Sequence, residues 1–295
     1  MWISDKWQDY KIIDTSSGEK LERWGSYTLV RPDPQVIWKS ERRSPLWQRA
    51  DAHYKRSKSG GGAWGENRLP ESWTVGYRDL TFLIKPMGFK HTGIFPEQAV
   101  NWDFCRELIE GAGRPVRVLN LFAYTGGATV ACAKAGASVV HVDASRGMVA
   151  QAKENARLSG LSEAPIRYIV DDCKKFIERE IRRGNKYDGI IMDPPSYGRG
   201  PTGEVWKIED AIDEFVALTK QVLSDYPIFF LLNSYTTGLS PSTMKYIVDL
   251  RLLDTYTGSS VADELGLPVG DGGLALPCGS TVRAVFGKNK DKKRL

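Results

Sequence analysis

The stretch Ile190 to Gly198, IIMDPPSYG, ends an apolar run with an acid, a pair of prolines and an aromatic. The run reads as a buried strand, which places Asp193 at its carboxyl end. Pro194 and Pro195 then remove backbone donors and keep the chain extended. What remains is a corner rich in hydrogen-bond acceptors, with Tyr197 close behind. Such a corner suits a ligand that brings N–H donors, for example an aromatic base with an exocyclic amine. The same Asp-Pro-Pro can equally serve only to break a strand, so the surrounding chain has to choose.

Other acids stand at similar points. Asp143 closes SVVHVDA, and Asp171 with Asp172 closes IRYIVDD. The run PVRVLNLF leads instead into FAYTGGA, where Gly126 and Gly127 permit close backbone approach. Between these runs lie helical patterns: WDFCRELIEGAG, ATVACAKAGA, RGMVAQAKENARLSG, CKKFIEREIRRG and KIEDAIDEFVALTKQVLSD, the last followed by the strand PIFFLLNS. Strands alternating with helices predict an α/β, Rossmann-like, doubly wound and mostly parallel sheet with both faces covered. Ligands of such sheets sit beyond the carboxyl ends of the strands. The chain closes differently, with DTYTGSS and TVRAVFG read as late strands around a glycine-rich loop.

A nicotinamide or flavin site wants G-x-G-x-x-G against a pyrophosphate, and FAYTGGA lacks it. Carboxylates close to the ligand also disfavour a diphosphate. A cationic, phosphate-free nucleoside fits better, and S-adenosylmethionine is such a molecule. Asp143 would hold its ribose and Asp172 would face its adenine amine.

The chain has 295 residues, 41% of them apolar and 26% charged, as in ordinary soluble globular proteins. That length suits one large domain or a main domain with an appendage, and a chain of this size buries roughly 75% of its unfolded surface. The amino-terminal MWISDKWQDYK lacks the apolar run of a signal peptide, and no apolar stretch is long enough to span a bilayer. Cys105, Cys132, Cys173 and Cys278 show no CxxC pairing, and histidines number only 3. The expectation is a cytoplasmic protein with reduced thiols, no membrane and no metal.

Residues 1–85 show turn signals and short strand patterns, YKIIDT, ERWGSYTLVRPDP and WTVGYRDLTFLIKP, and the last of these continues as a hairpin to about residue 100. SKSGGGAWGENRLP reads as a surface loop. Residues 101–295 carry the α/β pattern. The formal charge is +5, but the segment 39–58, KSERRSPLWQRADAHYKRSK, sets 7 basic residues against 2 acids. All the tryptophans but Trp206 lie at or before Trp102. Cations interleaved with aromatics suit single-stranded nucleic acid; a solvated basic loop over a tryptophan-rich core accounts for them equally well.

Taken together, LNLFAYTGGATVACAKAGASVVHVDAS, RYIVDDCKKFI and YDGIIMDPPSYG resemble the class I S-adenosylmethionine-dependent methyltransferases, and more narrowly the bacterial large-subunit ribosomal RNA methyltransferases of the I and K/L type. DLTFLIKPMGFKHTGIFPEQAVNW is similar to that family's hairpin before the catalytic fold, so the likeness runs from about Tyr77 to Gly287. The resemblance implies a seven-stranded sheet and an enzyme that acts on RNA. It implies that Phe122, Ala123, Tyr124, Thr125 and Gly126 line the methionine end of the cofactor. Asp143, Ala144 and Ser145 would take the ribose, and Asp172 with Cys173 the adenine edge. Thr92, Phe95 and Gln98 would close over the cofactor from the hairpin. His91 stands where the family has Lys, and reads as an exposed loop histidine.

Family members that methylate cytosine C5 carry a cysteine after the fifth strand, because a thiolate must first add to the ring. Here the place reads LLNSYTTG, with Asn233 and Ser234, which excludes C5 chemistry unless Cys278 folds back into the site. The expected catalytic corner is therefore Asp193, Pro194, Pro195 and Tyr197, holding a nitrogen or another polar nucleophile, with Asn233 orienting it. Two rivals remain. One is a methyltransferase for a small molecule or protein, suggested by an amino terminus without a recognisable RNA-binding domain. The other is a nucleotide-binding module without catalysis, against which the intact Asp-Pro-Pro argues.

Overall fold

The computed structural model describes residues 1–57, 61–65, 67–86, 91–199 and 205–287. From the amino end run β1 (Trp2–Ile3), β2 (Tyr10–Ser16), β3 (Glu19–Trp24) and β4 (Tyr27–Pro32), a short helix α1 (Leu46–Arg49), then β5 (Ala52–Arg56) and β6 (Gly62–Gly65). The hairpin β7 (Trp73–Tyr77) and β8 (Leu80–Ile84) leads through a 3-10 turn, Pro96–Gln98, into α2 (Ala99–Glu110). The alternating part follows: β9 (Arg117–Leu121), α3 (Gly127–Lys134), β10 (Ser138–Asp143), α4 (Arg146–Leu158), β11 (Ile166–Val170), α5 (Cys173–Arg183) and β12 (Gly189–Met192). A small hairpin, β13 (Tyr197–Arg199) and β14 (Val205–Lys207), precedes α6 (Ile208–Lys220), β15 (Phe229–Ser234), α7 (Pro241–Leu252) and the long pair β16 (Gly258–Val269) and β17 (Leu274–Phe286).

Strands β11, β10, β9, β12 and β15 are parallel neighbours in that order, and antiparallel β17 and then β16 complete the expected seven. Every residue of β12 and β15 is buried. That is the signature of parallel strands covered on both faces, and it explains their unbroken apolar sequences. The strand order reverses between β9 and β12, which fixes the ligand crevice at their carboxyl ends.

The seven strands do not form a sheet of their own. β1 and β2 both pair with β16, and β3 to β6 continue outward, giving a single 13-stranded sheet. One apolar cluster joins Tyr10, Ile12 and Trp24 of the amino-terminal strands to Phe82, Trp102, Val130 and Leu267. Trp24 and Trp102 are buried, and Trp7, Trp64 and Trp73 pack against the same cluster. Most of the tryptophan enrichment is therefore core; Trp2 and Trp47 are half-buried outside that cluster, and Trp38, at 38% exposure, is the most exposed of the front tryptophans.

Three elements differ from expectation. Within the supposed loop at residues 57–70, Gly62–Gly65 pairs with β5 as a strand, while 58–60 and 66 lie outside the described residues. Of DTYTGSS only the part from Gly258 is strand, because α7 and its closing turn occupy the chain before it. α7 itself has a broken apolar pattern and was not expected; Ser240 caps it by accepting from the Thr243 amide, with Pro241 in its first turn.

Candidate active site

The loop between β9 and α3 turns sharply. Phe122 and Tyr124 both adopt left-handed backbone, with φ of 54° and 51°, and Gly126 follows at 81°. Left-handed conformations in bulky residues are costly and persist where surrounding bonds enforce them. Here the bonds are visible. The Phe122 amide donates to Cys173 Sγ at 3.3 Å, the Ala123 amide to the Val142 carbonyl at 3.0 Å, and the Tyr124 amide to Asp143 Oδ2 at 2.8 Å. A side chain at Gly127 would put Cβ 2.5 Å from the Trp102 ring, so glycine lets α3 close onto α2.

Asp143 is the hub of this wall. Its other oxygen accepts from the Ser145 amide at 2.8 Å. Each carboxylate oxygen thus spends one lone pair on backbone and keeps another, which fits the paired hydroxyls of a ribose. The hairpin closes the opposite side. Thr125 Oγ1 donates to the Gly93 carbonyl, and Asn155 bridges the Leu83 amide and the Thr125 carbonyl, both at 2.8 Å. Thr92 is fully buried with its hydroxyl unpartnered. Phe95 stacks at 5.3 Å from Tyr124 and 5.6 Å from Tyr235, with His91 at 5.4 Å. His91 is half-buried on an aromatic face, which corrects the expectation of an exposed loop residue.

The cleft so formed encloses about 510 Å³ including its open mouth. A wider depression of about 2120 Å³, lined by Arg114, Asp188, Tyr226 and Phe286, lies at the opposite rim, where β9, β12 and β15 begin. The smaller cleft lies at the switch point and carries the convergent polar groups, which decides between them.

Asp193 reaches the cleft from the end of β12, half-buried. Burial, reinforced by the like charge of Glu97, lifts its carboxyl to about 7. Asn233 lines the same space. Its amide oxygen accepts from Asn101 Nδ2 and the Thr281 hydroxyl. Asn101 in turn bonds Gln98 and accepts from Arg283, and Gln98 Nε2 donates to the Tyr235 hydroxyl at 2.8 Å. The Pro195 carbonyl accepts from Trp206 Nε1 at 2.6 Å, and the Trp206 ring packs on Phe122. The Asp-Pro-Pro corner is thereby pinned to the cofactor loop.

Of the expected residues, Phe95, Gln98, Phe122, Ala123, Tyr124, Thr125, Asp193 and Asn233 line the cleft. Asp143, Ala144 and Ser145 are not among the lining residues; Asp143 is tied to the lining loop through the Tyr124 amide and to Ser145 through its amide. Asp172 is exposed and caps α5 by accepting from the Lys175 amide, which commits one of its oxygens; Cys173 acts through its bond to Phe122. Pro194 is buried, whereas Tyr197 stands 51% exposed on β13. Ser234 is turned into the chain, accepting from the Thr236 amide. Cys278 is not among the residues that line the cleft, and its charged neighbours are Glu97, Lys20, Asp33 and Glu22. Burial first, then Glu97, holds its thiol well above the ordinary value, so nothing prepares it as a nucleophile.

Sequence reasoning missed Asn101, Trp102, Tyr235 and Glu97. Tyr235 carried a signal, an aromatic directly after the fifth strand; the others sit inside or just before a helix whose pattern announces only packing. Among the described residues no group of three or more His, Cys, Asp or Glu could hold a metal ion, and no helix is long and apolar enough to cross a membrane.

Residues 48–209 match a family model described as S-adenosylmethionine-dependent methyltransferase. The crystal structure of the S-adenosylmethionine-dependent methyltransferase from Agrobacterium tumefaciens superimposes with a TM-score of 0.90 at 37% identity, over 97% of this chain and 93% of that one. The ribosomal RNA large subunit methyltransferase K/L of Shewanella frigidimarina is 36% identical over 133 residues, 45% of this chain and 17% of that protein. The ribosomal RNA large subunit methyltransferase I of Aeromonas hydrophila is 36% identical over 107 residues, 36% of this chain and 26% of that protein. The match therefore spans about a quarter or less of these curated relatives' length.

Proposed function

This chain belongs to the S-adenosylmethionine-dependent methyltransferases, and we propose that it methylates an RNA base, in ribosomal RNA, at a nitrogen or other polar nucleophile presented to Asp193. The observation that carries the reading is the placement of Asp193 beside the cofactor loop, with the acceptor-rich Asp-Pro-Pro corner held against Phe122 through Trp206. When bound, S-adenosylmethionine supplies a methyl group made electrophilic by its sulfonium. Asp143 and the loop from Phe122 to Gly126 hold the nucleoside and methionine ends, and Phe95 with Tyr124 excludes water. Asp193 accepts an N–H of the acceptor and orients its lone pair, with the Asn233 amide beside it.

The RNA assignment is supported by a second region. Lys39, Arg43, Arg49, Lys55 and Arg56 are exposed on the arm before and along β5, Trp38 is partly exposed among them, and the Arg42 guanidinium stacks at 4.1 Å on Trp47. Lys58, the last cation of the basic segment, lies outside the described residues. Phosphates need such cations and unstacked bases need such faces. The rival, a small-molecule or protein acceptor, rests on an amino-terminal region in which no RNA-binding domain is recognisable.

The test is transfer of labelled methyl from the cofactor to RNA of a strain lacking the gene, with mass spectrometry to locate the product. A modified base nitrogen is the expected result. Methyl transfer to small metabolites but not RNA would select the rival. Steep weakening of substrate binding with salt is expected of RNA, whose phosphate contacts release counterions, and not of a small neutral substrate.

A further inference from the structure

Met192 of β12 is registered opposite Leu232 of β15, so Asp193 and Asn233 follow at neighbouring places on the carboxyl edge of the sheet, and both line the cleft. What Asn233 can offer a ligand there depends on which end of its amide is already spent, since one end only accepts and the other only donates.

The strand on its other side decides. On antiparallel β17, Thr281 lies opposite Asn233 and Arg283 opposite Leu231, two positions apart and so on one face. Arg283 is buried, with the rings of Trp2 and Phe104 at 4.0 Å and 4.7 Å from its guanidinium. No carboxylate among the described residues pairs with it, and burial draws it down only to about 10, so at neutral pH it is a cation that can do nothing but donate. Its Nε donates to Asn101 Oδ1 at 2.9 Å, and one terminal nitrogen donates to the same oxygen at 2.8 Å and to the Val100 carbonyl at 3.2 Å.

Those bonds fix the direction of the Asn101 amide. Its oxygen faces the guanidinium, so its NH2 group faces Gln98 Oε1 at 2.8 Å, Thr281 Oγ1 at 3.1 Å and Asn233 Oδ1 at 3.2 Å. The Thr281 hydroxyl hands the same polarity on by donating to Asn233 Oδ1 at 2.5 Å. Gln98, its oxygen turned to Asn101, donates Nε2 to the Tyr235 hydroxyl. Two donors therefore occupy the oxygen of Asn233, while its NH2 group makes no hydrogen bond among the described residues. Asn101, Asn233, Thr281 and Gln98 are all buried, so reversing any one amide would set oxygen against oxygen away from water.

We propose that Arg283 is a positioning residue of the acceptor site: acting through Asn101 and Thr281, it sets the direction of this chain of amides so that Asn233 offers N–H to the acceptor beside Asp193. The assignment rests on the reading that the acceptor sits at Asp193, and it narrows the class of acceptor. A carboxylate and an amide NH2 group side by side match an edge on which an N–H stands next to a lone pair, such as an exocyclic amine beside a ring nitrogen. They do not match the N7 and O6 edge of guanine, which carries lone pairs alone.

The amides are tested first in the full chain without acceptor. Neutron diffraction from deuterated crystals should place both deuterons of the Asn101 amide away from Arg283 and turn the Asn233 oxygen toward Thr281; either amide found reversed would overturn the proposal with no variant needed. Asn101→Asp then separates direction from packing. It keeps the volume and the bonds from Arg283, so the melting temperature should not fall, but it withdraws the donor from Asn233, whose NH2 group should turn inward to the new carboxylate. With RNA of a strain lacking the gene, kcat/KM for RNA should drop about tenfold or more, and the cofactor Kd should stay within about threefold. Arg283→Met should show the same loss and Arg283→Lys, still a donor, should recover part of it. Wild-type kcat/KM in Asn101→Asp would leave Arg283 a packing residue and overturn the proposal, as would a methyl found on guanine N7. If RNA accepts no methyl while the neutron map shows the expected amides, the RNA reading fails and the direction of the chain stands.

Discussion

Along the cofactor wall, the groups from Phe122 to Ser145 come from two successive strand-end loops and act largely through backbone amides and one carboxylate. Around Asp193, by contrast, the neighbours include Glu97 and Tyr235, with Cys278 and Lys20 beyond them, and side-chain charge and burial set the character of that side. The contrast separates two tasks. Holding a fixed nucleoside needs a rigid turn that any chain with the right strand ends can supply. Selecting and deprotonating an acceptor needs groups whose ionisation is tuned by neighbours, and these can come from anywhere that the fold brings close.

Substitutions should therefore fall into two classes. The largest effect is expected at Asp193: Asp193→Asn should lower methyl transfer by about 100- to 10,000-fold, the usual worth of a positioned proton acceptor, with cofactor affinity by calorimetry near wild type. Loss of cofactor binding instead would move Asp193 to the other wall. Asp143→Ala should do the converse. Losing its charge-assisted bonds to the loop amides and to the ribose should weaken cofactor binding by about 10- to 100-fold, and saturating cofactor should recover much of kcat. Neutralising Lys39, Arg43 and Arg49 together should cost several-fold in RNA affinity and flatten the salt dependence by about 0.7 in log–log slope per lost phosphate contact; an unchanged slope would remove the arm from the RNA surface. The smallest effect belongs to Cys278→Ser. Activity within about twofold of wild type is expected of a thiol held un-ionised, and an inactive variant would reopen covalent chemistry.

The same contrast decides what could be read from the sequence. Gly126, Gly127 and Asp143 were legible because a strand, a glycine turn and an acid recur at fixed places in an alternating fold. Asp193 was legible for the same reason. Asp172 was legible as an acid at a strand end, but in the structure it accepts from the Lys175 amide as a helix cap, a role that periodicity cannot distinguish from ligand binding. The basic, tryptophan-rich front was ambiguous in sequence since a packed indole and a stacking platform have the same composition; burial assigns Trp24 and Trp102 to the core and leaves Trp38 partly in solvent.

The pairing of β1 and β2 with β16 has a mechanical consequence. Lys20 and Arg31 are carried by strands of the same sheet whose other strands end in Asp143 and lead into Asp193, so the amino-terminal strands and the cleft loops share one hydrogen-bonded frame.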